Sequence, residues 1–417
     1  MCRSERREYM RLTTDLAIIG GGAAGLAAAV TAHECGDRVT IFEQGNTIGR
    51  KIAASGGGRC NLMNSGPLRF YGDAAFAEKV LAHCPQERLT RYWKYLGIYM
   101  NEETEGRLYP STFRSGTVND AYRVRLKSAG TKVLLQTRIS EIKKEGEFFR
   151  VFSDDGEYTA SRVLVACGGA ASPKLGGNDS GYGLLRSFGH TVISPAPALC
   201  PLKTDAKSIC GLAGIRVKCR ASLKDVNGKT LKSEQGEALF TENGISGICI
   251  MQLSRFASAG TRIELDLLHR VFSDQEELCK ALMKRQEYTA MLAPEILLSS
   301  LLAPKLSYAV LKQAGIEMKN RKAGDLTPGE IRAIAEKCRK YTVFVAGNCG
   351  LEEAQVTAGG ADCTMFDPET MQSSLVNGLY AAGEVLNVDG DCGGYNLMFA
   401  TAGGILAGLN GRKETVI

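Results

Sequence analysis

The sequence predicts an α/β fold in which a Rossmann-like dinucleotide-binding domain is split by an inserted antiparallel β domain and a small helical subdomain. Three observations support this prediction. A strand–helix–strand pattern with a glycine-rich turn opens the chain, and glycine-rich segments return after residue 354. Between them, alternating strands give way to helical periodicity. We expect the parts in this order: first nucleotide-binding part 12–197, β domain 198–272, helical subdomain 273–340, second nucleotide-binding part 341–417.

The glycine-rich turn carries a dinucleotide fingerprint. An apolar strand runs directly into Gly20, Gly22 and Gly25, and an alanine-rich helix follows. The first glycine permits a tight turn, the second lets the backbone approach a pyrophosphate, and the third lets helix and strand pack closely. A second strand at 39–42 ends on Glu43, which can accept hydrogen bonds from both ribose hydroxyls. Because a helix N-terminus also favours a diphosphate, we expect a dinucleotide site rather than an ordinary glycine turn.

Further α/β elements follow this unit. Helical patterns cover 74–96, and the segments 132–136 and 148–152 have the composition of strands. A buried strand is expected at 162–166, and it ends in Cys167-Gly168-Gly169. These two glycines are expected at the crossing beneath the adenine half of a dinucleotide, where they also give a tight exit from the strand.

Strict alternation marks the β part of the insert. Residues 215–223 alternate between apolar and polar side chains, as expected for a strand with one wet face, and 262–267 alternate again. Asn227 and Gly228 offer a hairpin turn between strands. Eight lysines and arginines meet only two acids over 203–232. The alternation predicts that most of these charges lie on the wet face of a strand, rather than at a nucleic-acid site.

From Ser273 the pattern becomes helical. Thr327 and Glu330 have capping-box spacing, and Pro328 stands at the first helical position, so a helix is expected to begin there. The chain returns to strand composition at 342–345. We assign that strand to the second part of the nucleotide-binding domain.

A glycine-rich segment precedes the last helix. A short apolar strand at 379–383 delivers Glu384 at its carboxyl end, and a loop containing Asp391 leads into the helix. In flavoproteins with this type of nucleotide domain, the ribityl phosphate and the pyrimidine end of the flavin lie at such a position. N–H groups at Asn396 and Leu397 would stabilise negative charge on a reduced flavin. The alternative is a glycine loop that only closes the sheet.

Seven segments together resemble the YhiN/BaiN family, the aminoacetone-oxidase-like FAD-binding enzymes, over nearly the whole chain. They are GGGAAGL (20–26), SGGGRCN (55–61), RLYP (107–110), ACGGAASPKLGGNDSGY (166–182), GEALFTENGISG (236–247), QVTAGG (355–360) and GLYAAGEVLNVDGDCGGYNLMFATAGG (378–404). The resemblance implies bound FAD, a split FAD domain and an inserted β domain with a small helical cap. Relatives often carry His at the Glu242 position and Pro at the Ile248 position, so a role for that histidine does not carry over.

The segment 55–61 should lie over the isoalloxazine or the diphosphate of FAD. Its glycines allow close approach, while Arg50, Lys51 and Arg59 offer cations for a phosphate or a flavin anion. The alternative for Lys51 and Arg59 is a solvated loop charge. Cys60 has no partner at CxxC spacing, which favours a packing role over a redox role.

The expected site follows from these motifs. Residues expected to bind the cofactor are Gly20, Gly22, Ala23, Ala24, Gly25, Glu43, Gln44, Arg50, Lys51, Arg59, Cys60, Asn61, Ile139, Gly168, Gly169, Gly383, Glu384, Asp391, Gly394, Tyr395, Asn396 and Leu397. Candidates for a catalytic role are Arg59, Tyr109, Thr241, Glu242 and Tyr395. The tyrosines Tyr109, Tyr182 and Tyr395 are candidate proton donors, because a phenol can protonate a carbon next to a carbonyl. A structural role is the alternative for each tyrosine, Tyr182 included.

Composition limits the classes of partner. The 51 lysines and arginines against 45 aspartates and glutamates give a net charge of +6, which does not by itself call for nucleic acid or anionic lipid. None of the 14 cysteines is spaced as CxxC, which favours buried thiols in a reducing cytoplasm. Four scattered histidines argue against a histidine-built metal site, and we expect no metal. No uncharged apolar run has the length of a membrane span, so a cytoplasmic protein is expected.

The N-terminus has features of a targeting signal. Arg6 and Arg7 lie in a basic stretch before the uncharged residues 16–30, as in a secretory or twin-arginine signal. Cleavage there would remove the first strand and the phosphate-binding turn. We therefore expect a retained N-terminus, and Met10 could equally be the start.

The sequence holds one dinucleotide fingerprint, which argues against a disulfide-reductase-like enzyme with a second site for NAD(P)H. The resemblance implies a small-molecule oxidoreductase with bound FAD and with NADH or NADPH as a transient hydride donor. Its expected reaction is reduction of an activated C=C bond in a bulky apolar enone, such as a 3-oxo-Δ4 or Δ4,6 bile acid. Alternatives are aminoacetone oxidation with oxygen, a tRNA-modifying flavoprotein, and a non-catalytic flavin-bound protein.

Overall fold

A computed structural model describes residues 12–412, so the basic stretch and the alternative start at Met10 lie outside the described residues. The chain forms two compact units. Among the described residues, the first combines 12–196 with 355–412, and the second is Pro197–Ala354. Among the described residues, none of the helices combines the length and the apolar character needed to cross a membrane.

The N-terminal part of the first unit alternates strands and helices. In chain order its elements are β1 (Leu12–Ile19), α1 (Ala23–Glu34), β2 (Val39–Phe42), α2 (Arg50–Ala54), β3 (Met63–Asn64), β4 (Phe70–Gly72), α3 (Ala74–His83), α4 (Gln86–Tyr95), β5 (Met100–Glu102), β6 (Arg107–Pro110), α5 (Ser115–Ser128), β7 (Lys132–Leu134), β8 (Ile139–Glu145), β9 (Phe148–Ser153), β10 (Gly156–Val165), α6 (Ser180–Arg186) and β11 (Val192–Ala198).

The second unit begins with strands and continues with helices. Its elements are β12 (Leu202–Thr204), α7 (Ala206–Ile209), β13 (Arg216–Lys224), β14 (Thr230–Phe240), β15 (Gly244–Ser246), α8 (Ile248–Ser254), β16 (Arg262–Asp266), α9 (Gln275–Thr289), α10 (Pro304–Gln313), α11 (Pro328–Arg339) and β17 (Tyr341–Asn348). The chain then completes the first unit with β18 (Val356–Ala361), β19 (Leu379–Ala381), β20 (Val388–Gly390) and α12 (Tyr395–Leu409).

The main sheet of the first unit has the strand order β7-β2-β1-β10-β9-β8, and β19 also pairs with β10. The pairs β1–β2, β1–β10, β2–β7 and β10–β19 are parallel, whereas β9 is antiparallel to both β8 and β10. The carboxyl ends of the parallel strands therefore meet at one edge, where ligands of open α/β sheets bind. Since β19 comes from the C-terminal part, this edge combines residues from both ends of the chain.

Helices α1 and α12 lie against each other with little between their backbones. A Cβ atom added at Gly404 would be 2.2 Å from the carbonyl oxygen of Ala24, and one at Gly408 would be 2.8 Å from that of Ala28. The alanines of α1 are buried as well. Small residues on both helices thus allow a close approach, which joins the C-terminal part to the N-terminal βαβ unit.

The second unit contains a closed barrel with the strand order β12-β15-β14-β13-β16-β17. The alternation of the sequence is confirmed in β13, where Cys219, Ala221 and Leu223 are buried and Arg216 and Lys218 are exposed. One apolar core includes barrel residues and residues of α9, α10 and α11. Barrel and helices therefore form one unit here, whereas we expected a β domain and a separate helical subdomain.

The last boundary differs from the sequence-based expectation. Strand β17 pairs with β12 and β16 in the barrel, and the second unit continues to Ala354. The sequence pattern instead predicts that everything from residue 341 belongs to the nucleotide-binding domain. Composition and alternation identify a strand but do not identify the sheet that it joins, because register and partner are set by tertiary contacts.

The capping box predicted for α11 is confirmed. The Glu330 N–H donates to the Thr327 side-chain oxygen at 3.2 Å, and the Thr327 N–H donates to Glu330 Oε2 at 2.8 Å. The basic stretch of the barrel has acidic neighbours from outside 203–232. Lys224 lies 3.6 Å from Glu264, and Lys232 lies 3.2 Å from Glu234. The first pair joins β13 to β16 and the second lies within β14, and both acids reduce the net positive charge of this surface.

Buried His190 is expected to make stability depend on pH. Its ring stacks on Phe366 at 4.6 Å between centroids, its Nε2 lies 3.0 Å from Ser373 Oγ, and burial lowers its pKa below the usual value. The unfolded chain therefore binds a proton more readily, at a pKa of about 6.5. The stability associated with the neutral, buried His190 is therefore fully present above the pKa of the unfolded chain. It is lost as the pH falls from there toward the lower pKa of the folded protein.

We expect the free energy of unfolding of the wild-type protein to fall between pH 7 and pH 5 more steeply than that of His190→Gln. The difference in slope is at most about 1.4 kcal/mol per pH unit, the limit for one proton. Urea unfolding at several pH values measures it, and His83→Gln, at an exposed position, is the matched control. Equal slopes for the wild type and His190→Gln would contradict the prediction.

Candidate functional site

The turn between β1 and α1 has the geometry expected of a dinucleotide-binding loop. Gly20 has a φ of +112°, and an added Cβ would be 2.4 Å from the carbonyl oxygen of Ala166. An added Cβ at Gly25 would be 2.0 Å from the carbonyl oxygen of Gly20, so the helix lies directly on the turn. At Gly22, by contrast, no described atom outside the neighbouring residues lies within 4 Å of an added Cβ. The backbone there is open to a ligand.

Helix α1 begins at Ala23, followed by Ala24, and its N-cap Gly22 has no side chain to satisfy the first N–H groups. The N-terminus of this twelve-residue helix can therefore donate hydrogen bonds to an anion in the open space beside Gly22. The predicted glycines and alanines of the fingerprint are brought together, and the sequence signal was sufficient to find them.

Glu43 lies at the carboxyl end of β2, beside this turn. The Gly21 N–H donates to Glu43 Oε2 at 2.8 Å, and the Gly45 N–H donates to Oε1 at 2.6 Å. These two bonds fix the carboxylate next to the phosphate-binding turn. Gln44 donates to the carbonyl oxygen of Gly176 at 3.1 Å. The predicted residue Ile139 is buried and begins β8, two positions after Thr137, whose N–H donates to the Glu43 carbonyl at 2.9 Å.

Arg59 lies over two aromatic rings that pack against each other. Its guanidinium carbon lies 4.4 Å from the ring centroid of Tyr109 and 4.9 Å from that of Phe113, and its Nη2 lies 3.5 Å from Glu103. The glycines of the preceding 55–58 segment include Gly57 and Gly58, both in the left-handed region and both with no described atom within 4 Å of an added Cβ. The loop is therefore open on one side while the arginine is fixed.

Arg50 and Lys51 open α2, and the structure separates their roles. Arg50 donates to the Lys174 carbonyl oxygen at 2.5 Å, whereas Lys51 reaches the end of β19. Lys51 Nζ donates to Glu384 Oε2 at 3.1 Å. The predicted glycines Gly168 and Gly169, which follow β10, lie beside this ion pair.

Thr357 is a member of this cluster that the sequence analysis missed. It lies on β18, and both its N–H and its hydroxyl donate to Glu384 Oε1, at 2.9 and 2.8 Å. An added Cβ at Gly169 would be 2.4 Å from Thr357 Oγ1 and 2.6 Å from Glu384 Oε1. The motif QVTAGG contains Thr357, but a threonine in a strand carries no signal of its own, since its partners are distant in sequence.

The start of α12 completes the site. Asp391 is buried, accepts a hydrogen bond from the Tyr71 hydroxyl at 2.9 Å and lies near Arg69. Asn396 makes two hydrogen bonds with the backbone of Gly390, at 2.8 and 2.9 Å. These contacts fix the loop before the helix, so that the first N–H groups of α12, those of Tyr395, Asn396 and Leu397, have a defined direction.

The N-cap of α12 is Gly394, which has a φ of +100°. An added Cβ there would be 2.7 Å from Asn61 Oδ1. Asn61 is itself buried, and within residues 12–412 its Oδ1 has no hydrogen-bond partner. The predicted residues Asn61 and Gly394, more than 300 positions apart, are therefore in direct contact. Gly383 packs similarly against α1, where an added Cβ would be 3.1 Å from the Ala24 side chain.

The candidates for catalysis differ in their local surroundings. Tyr395 is buried and donates its hydroxyl to the Pro67 carbonyl oxygen at 3.0 Å, which is a structural contact. Tyr109 is buried beneath Arg59. Thr241 and Glu242 belong to the second unit, in the turn between β14 and β15, where the Thr241 N–H donates to the Gly244 carbonyl at 2.9 Å. Tyr182 is buried, and burial together with the negative charge of Glu384 raises its pKa.

Cys60 is expected to be unreactive. Its side chain is 0 % exposed, and burial raises the pKa of its thiol to about 11. Because the thiolate is the nucleophile, about 0.1 % of the thiol is reactive at pH 8 even if a reagent reaches it. We expect iodoacetamide to leave Cys60 unlabelled in the folded protein and to label the exposed Cys210, as measured by peptide mass spectrometry. Equal labelling of the two would overturn the packing role.

Comparison with known proteins identifies the family. The family model described as "HI0933-like protein Rossmann domain" matches residues 14–410. The chain belongs to this family. Members of the family are flavin oxidoreductases with a Rossmann-type FAD-binding domain, so the resemblance, the fold class and the type of enzyme predicted from the sequence are confirmed.

Three similar proteins cover nearly the whole chain. The 3-dehydro-bile acid delta(4,6)-reductase of Clostridium scindens is 33% identical over 404 residues, which are 94% of this chain and 98% of that protein. A ribosomal RNA dihydrouridine synthase of Haemophilus influenzae is 30% identical, over 92% of this chain and 94% of that protein. A solved structure, the 3-ketosteroid-delta4-(5alpha)-dehydrogenase of Rhodococcus jostii in complex with 4-androstene-3,17-dione, has a TM-score of 0.50 at 15% identity and covers 99% of both chains. This last likeness concerns the fold.

The residues of the first unit fit an FAD molecule. The open space at Gly22 and the N-terminus of α1 suit a diphosphate, and Glu43 beside them suits a ribose. The N-terminus of α12 offers a second set of N–H donors, near Asn61. These two donor sets, one at each end of the chain, meet the needs of a dinucleotide that bears both a diphosphate and a polar ring system.

Proposed function

We propose that this protein is an FAD-dependent reductase that uses NADH or NADPH to reduce a C=C bond conjugated to a ketone, in a bulky apolar substrate such as a 3-oxo-Δ4 or Δ4,6 bile acid. The observation that carries the proposal is the similarity to the Clostridium scindens reductase, which extends over 94% of this chain and 98% of that protein. Similarity over the full length includes both the nucleotide-binding unit and the second unit. It therefore supports a shared type of reaction as well as a shared fold.

The residues of the first unit have separate tasks in this proposal. The turn from Gly20 to Gly25 holds the diphosphate of FAD, and Glu43 holds the adenosine ribose. Lys51, Glu384 and the start of α12 hold the ribityl and ring portions, with N–H groups directed at negative charge. When bound, FAD supplies the transfer of a hydride equivalent from the nicotinamide to the conjugated alkene.

The chemistry of the substrate sets two demands on the protein. A carbonyl conjugated to the alkene makes the β-carbon electrophilic, so the hydride goes to that carbon and a proton to the α-carbon. Polarising the carbonyl oxygen with a hydrogen-bond donor would favour the reaction. Arg59 is a candidate for this donor: its guanidinium lies over Tyr109 and Phe113, and its ion pair with Glu103 is half exposed to solvent, so the charge of the pair is screened by water.

A second candidate function has support of its own. The relative from Haemophilus influenzae is named as a ribosomal RNA dihydrouridine synthase, with 30% identity over 92% of this chain. The uracil ring also contains a C=C bond conjugated to a carbonyl, so both names describe the same class of reduction. The ion pairs of Lys224 with Glu264 and of Lys232 with Glu234 reduce the positive charge available to RNA in the second unit, and they favour the small substrate.

Anaerobic bleaching of the flavin absorbance tests the proposal. NADH, NADPH and aminoacetone are added to the purified protein in separate cuvettes, and a 3-oxo-Δ4 steroid acid or a uridine-containing ribosomal RNA fragment is then added to any bleached sample. We expect a nicotinamide to bleach the flavin and the steroid acid to restore its colour. Recovery with the RNA fragment alone would favour the second function, and bleaching by aminoacetone alone would make the protein an amine oxidase.

A further inference from the structure

We propose that Thr357 is a positioning residue that orients the carboxylate of Glu384 for FAD binding. The inference rests on the proposed function, in which Glu384 contacts the cofactor. Thr357 is 0 % exposed and therefore acts through Glu384 and not by touching a ligand. Its contacts join three separate parts of the first unit: β18, the crossing after β10 and the end of β19.

The hydrogen bonds of Thr357 have fixed directions. The Ala171 N–H donates to Thr357 Oγ1 at 2.9 Å, so one lone pair of this oxygen is occupied. The hydroxyl proton is thereby directed to Glu384 Oε1, at 2.8 Å, and the Thr357 N–H donates to the same oxygen at 2.9 Å. Two donors from one residue converge on one carboxylate oxygen, which restricts the rotamer of the glutamate more than a single bond would.

The other oxygen of Glu384 is held differently. Its Oε2 accepts a hydrogen bond from Lys51 Nζ at 3.1 Å. The Lys51 side chain is 29% exposed and the Glu384 side chain is 18% exposed. This side of the carboxylate can reach a ligand, while Oε1 is anchored inside the protein. Gly169 completes the arrangement, because an added Cβ would be 2.6 Å from Glu384 Oε1. The cluster thus has an anchored side and an open side.

Valine has nearly the shape of threonine but lacks the hydroxyl, so it removes one hydrogen bond to Glu384 and leaves the Ala171 N–H without a partner. A hydrogen bond to a charged group is typically worth enough to change affinity about ten-fold or more. Serine keeps the hydroxyl. Thr357→Val and Thr357→Ser therefore form a matched pair that separates the hydrogen bond from the volume of the side chain.

The test measures the Kd of FAD for the apoprotein by flavin fluorescence, with thermal unfolding as a check on folding. We expect Thr357→Val to raise the Kd about ten-fold and Thr357→Ser to stay within about two-fold of the wild type. In a Glu384→Ala background, Thr357→Val should have no further effect on the Kd, since its partner is already absent. A purely structural threonine would lower the unfolding temperature of the apoprotein without this dependence on Glu384.

Two results would overturn the inference: a wild-type Kd for Thr357→Val, or an equal effect of Thr357→Val with and without Glu384. If Thr357→Val does not fold, Thr357→Ala removes the same hydroxyl without altering Glu384, and Thr357→Ser remains its comparison. The same ten-fold rise is then expected, and an unchanged Kd overturns the inference. Failure of the proposed function gives a different result: the wild-type protein itself does not bind FAD or does not oxidise NADH or NADPH.

Discussion

Replacing Gly22 by valine is expected to weaken FAD binding about 100-fold or more while leaving the fold intact, a loss of about 3 kcal/mol of binding free energy. At this position no described atom lies within 4 Å of an added Cβ, and φ is −87°, an angle that any residue adopts. The folded protein therefore accepts the side chain without strain. The diphosphate does not, because it needs the space beside the N-terminus of α1.

The control for this change is Gly183→Val. Gly183 lies in α6 and also has no described atom within 4 Å of an added Cβ, but it is far from the dinucleotide turn along the chain. We expect it to bind FAD as the wild type does. Fluorescence titration with FAD and thermal unfolding of the apoprotein measure both effects. Wild-type affinity in Gly22→Val would place the diphosphate elsewhere and remove the basis for the assigned cofactor site.

Replacing Gly404 by alanine is expected to lower the free energy of unfolding by about 1–3 kcal/mol, the usual cost of an overpacked core. Alanine is intrinsically better than glycine in a helix by about 1 kcal/mol, so a surface position would show the opposite sign. At Gly404, however, the new Cβ would be 2.2 Å from the carbonyl oxygen of Ala24 and 2.9 Å from the Ala27 side chain. Helices α1 and α12 must separate to admit it.

The matched comparison is Gly183→Ala, the same substitution in the open face of α6. We expect it to leave stability unchanged or to raise it by up to about 1 kcal/mol. Urea unfolding of the two variants gives the difference. A stabilised Gly404→Ala protein would mean that α1 and α12 are not in contact at this point. Because α12 also carries Gly394 and Asn396, we expect Gly404→Ala to weaken FAD binding as well.

The local elements were predictable because their signals are local. Three signals are of this kind: the turn at Gly20, the strand that ends at Glu43 and the capping box at Thr327. Each depends on residues that lie close together in the sequence. The same is true of the alternation in β13. In each case the backbone conformation or the hydrogen bond that the motif predicts is formed by the residues of the motif itself.

The contacts that assemble the site were not predictable in this way. Thr357 has no motif that marks it as a partner of Glu384, and β17 has no feature that assigns it to the barrel rather than the nucleotide-binding sheet. Similarly, the sequence offers Tyr395 as a candidate for catalysis, whereas in the structure its hydroxyl donates to the Pro67 carbonyl oxygen. Each of these outcomes depends on a partner far away in sequence.

The sequence by itself therefore determined the type of fold, the dinucleotide turn and the family to which the chain belongs. Only the tertiary structure decided which residues share the cofactor site: Asn61 with Gly394, Lys51 with Glu384, and Thr357 with both Glu384 and Ala171. The physical reason is that short-range propensities and turn geometry act within a segment. The pairing of buried polar groups, in contrast, is settled when distant segments exclude water together and each donor must find an acceptor.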